Sequence, residues 1–187
     1  LEKEKLEMTN LLDIKSYIKC YENIIDTNLC KNIISHKGKK FNEAPIGDNH
    51  INKSFRNCLV KNLDDKFNDA VFKVVGNILS KYRDGVKYFS TGLSTEDTGY
   101  QHLLYLGSEK GEYKTHVDHF DLQPRILSCS IILNDDYEGG DFSFFEGQYV
   151  VKKQAGSAIV FPSNFCYPHA VTPVSKGDRH AIITWIH

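Results

Sequence analysis

At 187 residues, with 41% hydrophobic and 12% aromatic content, the chain can bury one sizeable core and is short for two, so one domain over 1–187 is expected. Its 23 Lys and Arg balance 24 Asp and Glu, which removes the net field that would draw it onto nucleic acid or an acidic membrane. Without an apolar run near the roughly 18 residues of a membrane span, a signal-peptide core or a CxxC pair, and with an odd number of cysteines, free thiols, no membrane anchor and a reducing cytoplasm are expected.

The chain starts at Leu1, with Met8 as a candidate natural start, so the first residues count as a processed end, a fragment or a remnant. Residues 17–25 alternate weakly and predict a strand. Asp26 or Thr27 can then accept the free N–H groups opening a short helix through about Ser35, with Gly38 as its stop. From Asp65 to Tyr82, the residues Phe67, Val71, Val74, Val75, Ile78, Leu79 and Tyr82 recur at helical spacing and predict an amphipathic packing helix. The polar stretch Ser90 to Thr98 has no periodicity and reads as a loop, either an active-site cover or an ordinary surface turn.

From Tyr100 onward the pattern changes to short β-branched and aromatic runs separated by Gly, Asn and Asp turns. Strands are expected near 101–106, 114–118, 126–133, 141–145, 149–152, 157–161 and 180–186. Helical support over about 1–99 followed by a β core over about 100–187 argues for an α+β sandwich or small barrel. The acidic run Asp135, Asp136 and Glu138 before Gly139-Gly140 reads as a solvated turn, with no calcium site assigned.

The chemistry-bearing pattern is His-x-Asp, because two imidazoles and a carboxylate on one face of a non-heme iron leave sites for a co-substrate and dioxygen. On a strand, residues i and i+2 share a side, so His116 and Asp118 can converge on one ion. His119 and Asp121 form a second such pair, and spacing alone does not choose between them. Taken alone, His116 and Asp118 are more simply a surface histidine beside a carboxylate, and Arg179 a solvated charge beside Asp178.

The order of motifs from Tyr100 to Trp185 resembles the prolyl 4-hydroxylase-like branch of the iron(II)- and 2-oxoglutarate-dependent oxygenases. That pattern places Tyr-x-x-His-x-Asp here as Tyr113, His116 and Asp118. It continues through Tyr105, Arg125, Leu133-Asn134, Glu138-Gly139-Gly140-Asp141, Phe142, Phe144, Gly156, Phe161-Pro162, His169 and Gly177-x-Arg179. Weaker echoes occur in Ile25-Asp26 to Ile34 and around Arg56-Asn57-Cys58.

The resemblance implies a double-stranded β-helix, also called a jelly roll or cupin-like fold, with supporting N-terminal helices. It implies iron(II) on His116, Asp118 and His169, and 2-oxoglutarate with its far carboxylate on Arg179, whose guanidinium offers two parallel donors and stays charged when buried. Many relatives carry a co-substrate Tyr on the strand after Arg125. Here that stretch reads Ser130-Ile131-Ile132, leaving Tyr105 and Ser128 as hydroxyl sources. Tyr113, Arg125 and Trp185 are candidates for the substrate pocket, and ascorbate is the implied reductant.

The expected reaction is hydroxylation of a C–H bond, with a prolyl residue in a peptide or protein as first choice and dioxygen as the other substrate. The alternatives are a free amino acid or small metabolite on the same fold, a catalytically idle cupin-like binding domain, and a hydrolytic zinc site.

Overall fold

A computed structural model describes residues 13–47, 49–86, 89, 96–119 and 124–187. The strands in chain order are β1 (Lys19–Tyr21), β2 (Asn42–Glu43), β3 (Arg56–Asn57), β4 (Leu59–Asn62), β5 (Gln101–Leu106), β6 (Glu112–His116) and β7 (Leu127–Ile132). They continue with β8 (Glu138–Gly139), β9 (Phe142–Phe144), β10 (Tyr149–Val150), β11 (Ala158–Pro162), β12 (His169–Val171), β13 (Val174–Lys176) and β14 (Asp178–Ile186). Among the described residues, two α-helices precede the β-rich half, α1 (Thr27–Ser35) and α2 (Asn68–Gly85).

Helix α1 begins where expected, because the Asp26 carboxylate accepts from the backbone N–H groups of Asn28 and Leu29 at 2.8 and 3.1 Å. It ends at Ser35 with His36 already extended, so Gly38 is not its stop. Gly38 has another constraint: a Cβ there would meet the Asp64 carboxylate at 1.9 Å. Helix α2 buries Val71, Val75, Ile78 and Tyr82 along one stripe, and the turn before it, Asp65–Phe67, is a 3₁₀ segment. The strand expected over 17–25 shrinks to three residues, preceded by a 3₁₀ turn over Ile14–Tyr17.

Seven strands form a large sheet in the order β1-β11-β7-β14-β5-β4-β2, and five form a smaller one in the order β10-β9-β12-β6-β3. Every pairing in these sheets is antiparallel. Side chains of the large sheet alternate between two cores, as period-2 strands require. One set, including Leu127, Cys129, Ile131, Val160 and Ile182, packs against both helices. The other, including Tyr105, Ile159, Phe161, Ile183 and Trp185, meets Phe142, Phe144 and Val171 of the small sheet. This is the double-stranded β-helix sandwich, with helices covering one outer face.

The register between β14 and its neighbours aligns Arg179 with Tyr105 and Trp185 with Ser128, which sets all four on the side that faces the small sheet. Expected strand positions in the second half agree to within a few residues, but the strands β8, β12 and β13 were not anticipated. Of the stretch Ser90 to Thr98, all but residues 96–98 lies outside the described residues, as does Asp121. Among the described residues, no helix is long and apolar enough to cross a membrane.

Candidate metal centre

Strands β6 and β12 lie side by side in the small sheet, with His116 directly opposite His169. The expected strand over 114–118 ends at His116 instead, so Asp118 does not reach the site from the next pleat. It is brought there by the segment that follows: the His119 N–H donates to the Ser163 carbonyl at 2.8 Å, and the Arg125 guanidinium donates to the Asp118 carbonyl at 3.2 Å. The outcome is one cluster in which ligand atoms of His116, Asp118 and His169 all lie within 4.8 Å of one another. The two Asp118 oxygens stand 3.4 Å from His116 Nε2 and 3.6 Å from His169 Nε2.

Both imidazoles are oriented by their own strands. His116 Nδ1 donates to the Lys114 carbonyl at 2.9 Å and His169 Nδ1 to the Tyr167 carbonyl at 3.1 Å. A carbonyl only accepts, so each Nδ1 carries a proton, which leaves Nε2 of each ring as the atom turned to the shared point. The rings are further fixed by stacking, Tyr113 on His116 at 3.5 Å and Phe142 on His169 at 5.3 Å between centroids.

Burial pushes the His169 imidazole down to about 4, with His116 adding to that effect and Asp118 opposing it. Burial alone would raise the Asp118 carboxyl, but the neighbouring His169 and His116 hold it well below the ordinary carboxylate range. At neutral pH the pocket therefore holds an ionised Asp118 carboxylate and a neutral, buried His169 imidazole, two of the three donors a divalent cation would need.

Arg179 and Tyr105 line the same inner cavity as these three side chains. Arg179 is 2% exposed, its guanidinium carbon is 5.0 Å from the Tyr105 ring centre, and its Nε has no hydrogen-bond partner. No acidic side chain pairs with it among the described residues. Burial pushes the Tyr105 phenol up, so it remains a neutral donor.

Ser128 is placed differently from the expectation. Its hydroxyl donates to Asp118 Oδ2 at 2.7 Å and shares a 2.8 Å hydrogen bond with Ser163, so it braces the carboxylate, and Ser130 is the serine that lines the cavity. Tyr113, Arg125 and Trp185 border a wider cleft of about 930 Å³ that opens from Asp118, with the Arg125 guanidinium carbon 3.6 Å above the Trp185 ring. Sequence reasoning missed Ser163, whose only signal was its place after Phe161-Pro162. It also left Arg56 without a role, although Arg56 lines both the cavity and the cleft.

A family model described as the 2OG-Fe(II) oxygenase superfamily matches residues 100–187. A PKHD-type hydroxylase of Alteromonas mediterranea is 31% identical over 177 residues, covering 87% of this chain and 76% of that protein. The chain belongs to the 2OG-Fe(II) oxygenase superfamily. A second PKHD-type hydroxylase, from Psychrobacter, is 36% identical to this oxygenase over 77 residues, covering 39% of this chain and 29% of its own.

Two solved structures share the oxygenase's fold. A Trichoplax adhaerens prolyl hydroxylase, in complex with a hypoxia inducible factor peptide fragment, superposes with a TM-score of 0.74 at 17% identity, covering 99% of this chain and 91% of its own. A Pseudomonas putida prolyl-4-hydroxylase does so with a TM-score of 0.70 at 19% identity, covering 91% and 92%. The double-stranded β-helix and the prolyl 4-hydroxylase-type enzyme class expected from the motif order both hold. The residues present fit the family's iron(II) and 2-oxoglutarate: the triad supplies two imidazole nitrogens and one carboxylate, and Arg179 is a buried cation in the same cavity with no acidic partner among the described residues.

Proposed function

We propose that this oxygenase hydroxylates a prolyl residue in a peptide or protein. His116, Asp118 and His169 would hold iron(II), and Arg179 with Tyr105 would hold the far carboxylate of 2-oxoglutarate. With both bound, the chemistry supplied is oxidative decarboxylation of 2-oxoglutarate to succinate and carbon dioxide, coupled to insertion of one oxygen atom of dioxygen into a C–H bond. The protein's part is to orient the reactants and to keep water out.

The observation that carries the reading is Arg179. A guanidinium 2% exposed without an acidic partner is costly to fold around, and its position in the triad's cavity supplies the reason to keep it. The same observation separates this reading from a zinc hydrolase, which has no use for a buried arginine behind the metal. It also argues against an idle binding domain, since the full ligand set and its hydrogen-bonded supports are intact.

The peptide substrate is supported by the open cleft beside Asp118, with Tyr113, Arg125 and Trp185 on its walls, and by the peptide complex of the Trichoplax relative. Ascorbate is the proposed reductant. The five cysteines are all free thiols, which supports a reducing, cytoplasmic setting.

Anaerobic titration with iron(II), with and without 2-oxoglutarate, tests the site: a charge-transfer absorption band should develop only when both are present. Succinate release should then depend on a proline-containing peptide. Zinc-supported hydrolysis without any 2-oxoglutarate turnover would displace the proposal.

A further inference from the structure

Besides Arg179, a second cation in the site has no acidic partner among the described residues. Arg56 sits in β3, opposite Tyr113 of β6, and its side chain reaches both the inner cavity and the outer cleft. One guanidinium nitrogen donates to the Pro45 carbonyl at 2.7 Å, the guanidinium carbon lies 4.6 Å from the Tyr113 ring centre, and Nε is buried without a partner. Among the described residues, none of its contacts is with an acidic group.

The other charges along the cleft are accounted for. Lys61 is paired with Asp64 at 2.8 Å, Asp118 belongs to the metal triad, and Arg125 is stacked on Trp185 and bonded to the Asp118 carbonyl. Among the described residues, Arg56 is the cation that the fold orients toward the cleft and leaves without a carboxylate, and a half-buried guanidinium of that kind strongly favours a planar anion with two oxygens.

From these contacts we infer that the substrate carries a carboxylate beside the carbon that is oxidised, and that Arg56 reads it. The inference rests on the oxygenase reading of the site but not on which residue is hydroxylated. The Tyr113 ring bounds the separation: its centre lies 3.5 Å from that of the His116 imidazole and 4.6 Å from the Arg56 guanidinium carbon, so the guanidinium is no farther from that imidazole than these two distances laid end to end. The anion is thus held one aromatic ring away from the metal triad. In a peptide, where successive residues advance about 3.3–3.6 Å, that upper bound keeps the carboxylate on the oxidised residue or a near neighbour in the sequence. The chemistry is shared by an acidic side chain next to the reacting residue and by a chain-terminal carboxylate.

Trp185, the chain's single tryptophan, lines the same cleft and offers a binding signal that needs no turnover. Matched tripeptides with proline at the centre would be titrated into the protein loaded with manganese(II) and 2-oxoglutarate, and Trp185 fluorescence followed. One arm compares Glu with Gln on either side of proline; the other compares a free C-terminal carboxylate with its amide. The acidic member of at least one pair should bind 10-fold or more tightly than its neutral partner, and the arm that responds identifies the source.

Arg56→Gln should bring that ratio close to 1, while Arg56→Lys, which keeps the charge and loses the fork, should retain part of it. Equal behaviour of acidic and neutral members in the wild type, including binding by neither, overturns the inference. So does a ratio that survives Arg56→Gln, or an Arg56→Gln variant whose defect is confined to 2-oxoglutarate affinity. Failure of the oxygenase reading would look different: no charge-transfer band with iron(II) and 2-oxoglutarate in the wild type.

Discussion

Asp118 is where the separate demands on single residues meet, since it offers one oxygen to each imidazole and takes a 2.7 Å hydrogen bond from Ser128 on the oxygen nearer His169. Replacing any of His116, Asp118 or His169 with Ala should abolish iron-dependent turnover and leave the circular-dichroism spectrum close to wild type; wild-type-like activity in one of them would remove that residue from the ligand set. Ser128→Ala is the more discriminating change. Loss of an outer hydrogen-bond partner costs about 10–100-fold in metal affinity, so iron(II) binding should weaken by that order while 2-oxoglutarate affinity at saturating metal stays near wild type. Had Ser128 contacted the co-substrate, as its position in the motif suggested, the two effects would be reversed. Arg179→Ala should instead raise the 2-oxoglutarate requirement roughly 10–100-fold, the value of a lost charge-assisted contact, with iron(II) affinity nearly unchanged. The triad and Arg179 were legible in the sequence because their order along the chain is distinctive. The role of Ser128 was not, because a serine on a β-strand carries no sign of which neighbour its hydroxyl will meet.

Elements, more than single residues, decide what those side chains can reach. Strands β5 and β14 present Tyr105 and Arg179 to the cavity on one face, and on the opposite face they join the buried His102 Nε2 to Nδ1 of the half-buried His180 at 3.0 Å. Burial pushes His102 down to about 3, with His180 and Lys61 adding to the effect and Asp64 opposing it. His180 is lowered for the same first reason, while Asp178 and Asp136 oppose and Lys61 and Arg179 reinforce it. The folded chain thus keeps His102 neutral over a range in which the unfolded chain protonates it, so its stabilisation is complete above pH 6.5 and fades as pH falls from 6.5 toward 3. Unfolding free energy measured by denaturant titration should drop across that window by an amount on the order of a few kcal/mol, and His102→Gln should flatten the slope relative to wild type. Parallel slopes would show that the pair takes up its proton without disturbing the fold. Nothing in the spacing of His102 and His180 announces this contact, since it depends on the register between two strands nearly eighty positions apart. The strand carrying His169 was equally hard to foresee: three residues bounded by prolines are too short to establish a period. The longer, mostly apolar runs of β5, β7, β11 and β14 were readable because each buries one or both faces.

At the scale of the molecule, stability and chemistry occupy opposite faces of the large sheet. Its helix-covered face is a continuous apolar core joining Ile33, Val71, Val75 and Ile78 to Leu127, Ile131, Val160 and Ile182. The face toward the small sheet mixes aromatic packing with the triad, Arg179 and the cavity between the sheets. Polar side chains on that inner face cannot contribute much to holding the sheets together, so the helical layer must carry a large share of the folding free energy. Ile78 tests that division, being fully buried between α2 and the sheet and touching nothing in the site. Ile78→Ala should cost about 2–5 kcal/mol through lost apolar contact and an incompletely filled cavity, which for a chain of this size lowers Tm by an amount on the order of 10 °C. Below the transition, iron(II) affinity should match wild type, because β6, β12 and the segment bearing Asp118 are anchored to one another and to β7 rather than to the helix. A parallel loss of metal affinity and Tm would mean that the two faces of the sheet are mechanically coupled, and that the α2 layer shapes the site as well as supporting it.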